Sequence, residues 1–338
     1  MTPRQFAVLA ATAAVSLAAA VIIYGSRSNW TVPSENAGKM FPSLQSDAGK
    51  IARLSITQGD KTLVIEKSGD QWLMKSRDGY PAATDKVRAL LVSLAEANLL
   101  EPKTQRPDRF ALLEVDDPTA KTSNARLIKI EDASGATLAE IIAGKRRLGQ
   151  EAAAGEGTYV RRPTENQSWL ASTTITGGAS LRDWATPRVF EVDGPKVARL
   201  TVEVQGEQPY DIKRTEDGAH ELEAVPAGKK IKYVNMIDNI VEASAFLDLE
   251  SVRKASETAG GEAGSVSFQT TDGLKINFKV RREKDAAWAT IEASGEGDAK
   301  KQADEIQNRA KGWEFEIAPS KVETMLKKRD DLLEDAPS

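Results

Sequence analysis

The chain has 338 residues, of which 40% are hydrophobic and 28% are charged. These values are typical of folded globular proteins and exclude a wholly disordered chain, and the length suffices for two domains with cores of their own. A net charge of −4 gives no general attraction to phosphate backbones, so we expect no nucleic-acid partner. The absence of cysteine excludes disulfides, thiolate zinc sites and cysteine nucleophiles.

The first element is an apolar stretch over residues 6–24 that contains no charged residue. As a helix it would be roughly 28 Å long, which is close to the thickness of a bilayer core. We therefore predict a single transmembrane helix at 6–24, preceded by a cytoplasmic N-terminus at 1–5. The alternative is a cleaved secretory signal peptide with Ala18-Ala19-Ala20 at the cleavage site. The apolar run continues through Val21-Ile22-Ile23, which favours the anchor.

The next segment, residues 25–50, is rich in Ser, Asn, Gly and Pro and lacks apolar periodicity. This composition predicts a tether that holds the remaining chain close to the membrane. Both interpretations of residues 6–24 place the bulk of the chain on the periplasmic side of the cytoplasmic (inner) membrane.

A first repeat is predicted over residues 51–180. Alternating residues indicate two strands around Gly59 and a third strand at Gln71–Met74, after which Thr84 is a candidate N-cap for an amphipathic helix. Residues 106–118 are predicted to be a loop. The later part indicates a hairpin and two further strands, at 126–130, 137–142, 159–162 and 168–170.

A second repeat is predicted over residues 197–333, after a connector at 181–196 whose mixed composition indicates that the halves pack together. Val197–Val202 resembles Ile51–Ile56, and the same order of turns, strands and helix follows. We therefore expect residues 51–172 to superpose on residues 197–333. The Asp272-Gly273 step indicates a hairpin.

Three further expectations concern the end of the chain. Residues 294–311 are charged and are predicted to be an exposed loop, whereas Ser320 and Glu323 have the spacing of a capping box that begins a last helix. Residues 334–338 are predicted to be a disordered tail. The predicted fold class is therefore α+β: one transmembrane helix, then two tandem, duplicated units of mainly antiparallel sheet with packed helices.

Candidate catalytic groups are few. His220 is the only histidine, and the predicted turn next to it favours a surface position over a catalytic one. The pairs Asp116-Asp117 and Asp238/Glu242 could be imagined as hydrolase carboxylates, but their sequence spacing says nothing about separation across a substrate. We therefore predict no catalytic, cofactor-binding or metal-binding residues, no cofactor, and no enzyme activity, with a hydrolase as the least favoured option.

Two other patterns suggest binding. The segment from Gly144 to Gly149 combines glycines with basic residues, but it lacks the spacing of a phosphate-binding loop. Six tryptophans could line a sugar groove, although strand positions favour burial: Trp30, Trp72, Trp169, Trp184, Trp288 and Trp313. An envelope glycan-binding or small-ligand-binding module therefore stays open as an alternative function.

Several short motifs resemble bacterial proteins of the domain of unknown function 4340 family. They are Gln71-Trp72-Leu73, the helix that begins at Thr84, the loop from Leu112 to Asp117-Pro118, Ile142-Ala143-Gly144 followed by Tyr159-Val160-Arg161, and Leu181-Arg182-Asp183 before the second repeat. The resemblance implies a membrane-anchored protein whose gene accompanies an ABC-type transport system, and it carries no catalytic residues. We therefore expect a non-enzymatic, extracytoplasmic accessory or scaffold protein with a membrane anchor and an envelope or ABC-transporter protein partner.

Overall fold

The computed structural model describes residues 38–147, 156–233, 235–256 and 260–336. The first half of the chain forms a nine-stranded antiparallel sheet with the order β4-β3-β2-β1-β6-β7-β8-β9-β5, here called the first sheet. Its strands are β1 (Ile51–Gln58), β2 (Lys61–Ser68), β3 (Gln71–Met74), β4 (Tyr80–Pro81), β5 (Leu99–Pro102), β6 (Arg126–Asp132), β7 (Thr137–Arg147), β8 (Gly157–Arg161) and β9 (Ser168–Ala171).

The second half forms an eight-stranded antiparallel sheet with the order β13-β12-β11-β17-β18-β19-β20-β16, here called the second sheet. Two short ribbons accompany it, β10 with β15 and β14 with β21. The strands of this half are β10 (Arg188–Glu191), β11 (Val197–Val204), β12 (Tyr210–Arg214), β13 (His220–Leu222), β14 (Lys229–Ile231), β15 (Phe246–Asp248), β16 (Val252–Lys254), β17 (Gly261–Thr270), β18 (Lys275–Glu283), β19 (Ala286–Ser294), β20 (Trp313–Ile317) and β21 (Leu333–Asp335).

Six α-helices lie among these strands in the described ranges: α1 (Thr84–Glu96), α2 (Phe110–Leu113), α3 (Leu181–Trp184), α4 (Asn235–Ser244), α5 (Ala299–Ala310) and α6 (Pro319–Met325). The apolar stripe of α1, with Val87, Leu90 and Leu94, is buried in the core. The fold is therefore mostly antiparallel sheet with a few packed helices, which confirms the α+β class. No helix within the described part of the chain is both long and apolar enough to span a bilayer.

The two sheets share one strand order. From β3 to β5 the first sheet reads β3-β2-β1-β6-β7-β8-β9-β5, and the second reads β13-β12-β11-β17-β18-β19-β20-β16. Both also carry a register shift at the same place, between Ile51 and Arg53 in β1 and between Val197 and Arg199 in β11. This correspondence is the one that a superposition of residues 51–172 on 197–333 requires, and the superposition itself stays a prediction.

One hydrophobic core joins the halves. Its buried side chains come from both sheets and from α3, whose Trp184 is 1% exposed. The two halves meet at a contact that is here called the seam, formed by Tyr80 of the first half and Trp313 and Phe315 of the second. The ring of Tyr80 meets that of Trp313 edge-on with centroids 5.0 Å apart, and the centroid of the Phe315 ring lies 6.2 Å from that of Tyr80. Burial raises the pKa of Tyr80 to about 12. The halves are therefore held together by packing of the kind found inside a domain.

Residues 38–50 do not continue the predicted tether. Met40 and Leu44 are each only 1% exposed, and the amide of Met40 donates to the carbonyl oxygen of Ala97 at 2.8 Å. The prediction was wrong here because two apolar residues among many polar ones suffice to fix a short segment that lacks periodicity. The predicted N-terminus, transmembrane helix and tether residues 1–37 lie outside the described residues.

The predicted loop at 294–311 is also wrong, because α5 occupies most of it. Its buried residues Ala299, Ala303, Ile306 and Ala310 recur at helical spacing. Three of these four are alanines, so the apolar stripe is weak in hydrophobicity and is hidden among charged residues. The predicted disordered tail likewise begins too early, because Glu334 and Asp335 belong to β21.

Two predicted helix caps differ from the structure. Thr84 is the first residue of α1, and Ala83 precedes it without a side-chain cap. The last helix begins at Pro319, so Ser320 lies inside it and makes no cap. Proline fits the first turn of a helix because that turn needs no amide donor from it.

The packing at the seam predicts the effect of Tyr80→Ala. Loss of the ring leaves a cavity against Trp313 and Phe315, so the free energy of unfolding should fall by about 3 kcal/mol. Urea unfolding of the full chain in mild detergent measures this change. The matched control is Tyr233→Ala at a residue that is 59% exposed, and it should change stability by less than about 0.5 kcal/mol. Equal effects of the two variants would contradict a packed seam.

Lys321 of α6 predicts a pH dependence of stability. Its Nζ lies 3.4 Å from the ring centroid of Phe246 and 2.5 Å from the carbonyl oxygen of that residue, with Asp248 and Arg188 nearby. Burial lowers the pKa of Lys321 from 10.5 to about 8. The unfolded chain therefore binds more protons than the folded chain between these values, and stability contributed at this site rises with pH across that window.

The measurement is the difference in unfolding free energy between the wild type and Lys321→Met at a series of pH values. The unfolding free energy of the wild type should rise relative to that of the variant between about pH 8 and pH 10.5. The use of a difference removes the titration of other lysines. A constant difference would show that Lys321 titrates normally in the folded protein.

Candidate functional site: the open face of the second sheet

One end of the outer face of the first sheet, around Leu127, Ile142 and Arg161, is covered by residues 103–125, here called the covering segment. It connects β5 to β6 and carries α2. Phe110, Val115 and Ala125 from this segment are buried with Ile142 of β7, in a small apolar cluster separate from the main core. Residues 106–118, which were predicted to be a loop with a short apolar patch, therefore pack over this end of the sheet.

Arg161 of β8 fixes the covering segment in place. Its Nε donates to the carbonyl oxygen of Val115 at 2.9 Å, and its guanidinium lies 4.5 Å from the ring centroid of Phe110. Burial lowers the pKa of Arg161, whereas the nearby carboxylates Asp116 and Asp117 raise it. The segment is thus held by a charged hydrogen bond and a ring contact as well as by apolar packing.

Gly144 allows the covering segment to approach the sheet. A Cβ at this position would lie 2.2 Å from the carbonyl oxygen of Leu113, which is far inside contact distance. The glycine that begins the basic stretch 144–149 therefore has a packing role, and residues 148 and 149 of that stretch lie outside the described residues.

Within the described residues, the second sheet has no comparable cover. Only residues 255–260 connect β16 to β17, the strands that correspond to β5 and β6. Its outer face, here called the open face, forms a groove of about 650 Å³ lined by β11, β17, β18 and β19. The open face is therefore one structural difference between the two halves within the described part of the chain.

Polar side chains form the floor of this groove. The strand register places Thr201, Ser267, Asn277 and Glu292 opposite one another on four neighbouring strands. A second row contains Glu203, Ser265, Lys279 and Thr290, and a third contains Arg199, Gln269, Lys275 and Ser294. The open face is thus a regular array of hydroxyl, amide and charged groups.

Some charges of the open face are neutralised within the protein. Arg199 lies 2.7 Å from both Asp211 and Glu223, and these contacts raise its pKa. Burial opposes ionisation of Asp211, but hydrogen bonds from Thr201 and Arg199 lower its pKa on balance. Glu203 accepts a hydrogen bond from the neutral hydroxyl of Ser265 at 2.9 Å and so keeps its negative charge.

Other charges have no such partner. Lys275, Lys279 and Glu292 are exposed, and none of them forms an ion pair within the ranges that the structure describes. Lys275 and Lys279 flank Asn277 on β18, and Glu292 lies opposite Asn277 on β19. These three charges are available to a ligand.

The corresponding positions of the first sheet show how the two faces diverged. By register, Ser265 corresponds to Leu127, Lys279 to Ile142, and Thr290 to Arg161. Each residue of the first sheet in these pairs contacts the covering segment or its cluster. The open face is therefore built to remain in water or to meet a polar partner.

A buried carboxylate closes one end of the open face. Glu314 of β20 is 1% exposed and lies 2.9 Å from Nε of Arg253, while the amide of Ser256 donates to it at 3.3 Å. The guanidinium of Arg253 also lies 4.0 Å from the ring centroid of Trp288. This network fixes the edge strand β16, and the ring of Trp288 is partly buried.

His220 does not lie on the surface as predicted. Its side chain is 6% exposed, with Nε2 3.0 Å from the carbonyl oxygen of Val197 and Nδ1 3.2 Å from Asp238 of α4. The sequence prediction failed because α4 packs over the hairpin. His220 therefore links β13 to Val197 of β11 and to Asp238 of α4. It lies several strands away from the groove strands β18 and β19.

The acidic candidates are also explained by local structure. Asp117 accepts hydrogen bonds from the amide and hydroxyl of Thr119 at 2.9 and 2.8 Å, which lower its pKa and form a turn. Glu242 lies against Gly194, where a Cβ would approach its Oε1 to 2.2 Å. Among the described residues, no group of three or more His, Asp or Glu side chains is arranged to hold a metal ion.

The tryptophans give little support to a sugar groove. Trp72, Trp184 and Trp313 are buried, and Trp169 and Trp288 are partly buried. Trp30 lies outside the described residues. No two tryptophans in the described ranges therefore form an exposed platform for sugar rings.

The contrast between the faces predicts opposite tolerances at two matched positions. Ile142→Lys places a charge beneath the covering segment, so the free energy of unfolding should fall by about 3 kcal/mol. Lys279→Ile changes an exposed position and should stay within about 0.5 kcal/mol of the wild type. Urea unfolding measures both, and faster amide exchange at residues 110–115 in Ile142→Lys would show release of the segment. Similar losses in both variants would mean that the faces do not differ.

Comparison with known proteins gives one match. No curated protein and no solved structure matches the chain. The family model "Domain of unknown function (DUF4340)" matches residues 72–265, which run from β3 through the seam into β17 and make up more than half of the chain. The chain therefore belongs to the DUF4340 family.

Proposed function

We propose that this protein is a non-enzymatic accessory or scaffold subunit of an ABC-type transport system. A single N-terminal helix anchors it in the cytoplasmic membrane, and the two sheets lie on the periplasmic side. The apolar stretch 6–24 and the resemblance stated above support the anchor and the setting. The protein acts by binding a protein partner.

The open face is the observation that carries this proposal. It is polar enough to remain hydrated without a partner, as the surface of a reversible interface must be. It is also rigidly mounted, because its other side is the shared core and its end is fixed by Glu314 and Arg253. A fixed, polar array is suited to recognising a shaped protein surface.

The anchor and the seam complete the proposal. Because residues 38–50 pack on the core, the folded body begins close to the predicted membrane helix, with only residues 25–37 between them. The seam around Tyr80 keeps the second half in a fixed position relative to the first. The tether would therefore keep the open face near the membrane, and the seam would fix its position relative to the first half.

Co-purification of the tagged full chain from detergent-solubilised membranes tests the proposal. Subunits of an ABC-type transport system should be recovered with the wild type. Asn277→Arg puts a long charge in the floor of the groove and should reduce that recovery at least about tenfold, equivalent to 1.4 kcal/mol. The matched control Thr62→Arg changes an exposed strand position of the first sheet and should have no effect.

Two results would contradict the proposal. Recovery of no transport subunit with the wild type would remove the association. Resistance of the folded region to protease added to spheroplasts, with degradation only after lysis, would place it in the cytoplasm instead.

A further inference from the structure

A groove lies between α1 and residues 44–51 of the first half. Its volume is about 270 Å³, and Val92 in its wall is 46% exposed although it is a large hydrophobic residue. Arg88 and Glu96 stand two turns apart on α1 at the rim, so the groove has no net charge. The remaining lining is apolar apart from Gln45: Leu44, Ala48, Ile51, Leu91, Val92 and Ala95.

The second half has polar residues where this groove has apolar ones. The helices α1 and α4 are matched by their buried residues, Leu90 and Leu94 in the one and Ile237 and Val241 in the other. With this match, three groove residues of α1 correspond to polar residues of α4: Leu91 to Asp238, Val92 to Asn239, and Ala95 to Glu242. The apolar character is therefore specific to the first half.

Contacts within the second half close the corresponding space. Asp238 lies 3.2 Å from His220, and Glu242 lies directly against Gly194 ahead of β11. In the first half, the described residues leave this space open as the groove. An exposed apolar surface whose counterpart is polar and closed indicates a binding site for apolar side chains.

The chain enters the first half beside this groove. The amide of Leu99 donates to the carbonyl oxygen of Gly38 at 3.0 Å, and the amide of Met40 donates to that of Ala97 at 2.8 Å. Ala97 directly follows α1, and Val92 lies about 7.5 Å from it along the helix axis. The chain that precedes Gly38 therefore starts at one end of the groove.

The segment ahead of Gly38 contains side chains that fit the groove. Trp30 and Val32 are the large apolar residues of the otherwise mainly polar stretch 25–37. They are two positions apart, so in an extended chain they point to the same side. Six residues separate Val32 from Gly38, and an extended chain of that length spans up to about 20 Å. Both side chains can therefore reach the groove.

We propose that Trp30 and Val32 occupy the groove beside α1, with Val32 against Val92 and the indole of Trp30 towards Arg88. Arg88 is exposed and forms no ion pair within the described ranges, so its guanidinium is available to stack on the indole. The groove thus binds the chain's own residues 30–32. The free length between the predicted membrane helix and the folded body falls from residues 25–37 to residues 25–29.

This docking is independent of the proposed function, because no transport subunit takes part in it. Disulfide trapping in the full chain in mild detergent tests it, since the chain contains no cysteine that could compete. In V32C/V92C the two Cα atoms should lie within the range of a disulfide, which is about 4.4–6.8 Å. Mild oxidation should therefore close a loop within one chain, seen as a faster-migrating band on a gel without reductant.

The matched control is V32C/A89C, because Ala89 is exposed on the same helix and does not line the groove. The loop in V32C/V92C should close at least about tenfold faster than in this control, since docking raises the local concentration of residue 32 at residue 92 alone. Adding W30S to V32C/V92C should lower its rate to that of the control. Mere nearness of residue 32 to α1 would not require this loss.

Three results would overturn the inference. One is equal rates of loop closure at residues 92 and 89. Another is an unchanged rate in W30S/V32C/V92C, which would mean that the indole does not hold the segment in the groove. The third is formation of disulfides between two chains in place of the internal loop, which would assign the groove to a second copy.

Discussion

A β-sheet has two faces, and in this protein only one face of each sheet can be buried in the shared core. The other face must be either covered or polar, because exposed apolar strands are sites of aggregation. The first sheet is covered at one end of its outer face, where Phe110 and Val115 pack near Ile142. The outer face of the second sheet is polar there, with Lys279 at the corresponding position.

The sequence alone predicts the regular parts of this fold well. Alternation, Gly-containing turns and the Asp272-Gly273 step locate the strands because side-chain period and turn geometry are local properties. The sequence does not reveal the helix α5, because its buried stripe is mostly alanine and contributes little hydrophobicity. It does not reveal the packing of residues 38–50 either, because two buried side chains form no periodic pattern. Both depend on what the rest of the chain places next to them.

The candidate site was only partly accessible from the sequence. A repeat implies that function lies where the halves differ or where they meet, and that expectation leads to the open face. The matching of Ser265 to Leu127 could not be made without the strand register, because the intervening loops differ in length. The burial of His220 likewise depends on α4, which is distant in sequence from β13. Long-range packing therefore limits what local patterns can say about a site.

The repeated register shift in β1 and β11 has a consequence for shape. An irregularity of this kind bends a strand and increases its right-handed twist, so each long sheet coils instead of lying flat. The rows of polar side chains on the second sheet consequently follow a curved surface. A straight, rigid partner would touch only a few of these rows at once, whereas a pliable segment could follow the curve. Selection at this face would then act on the flexibility of the partner as well as on its charge.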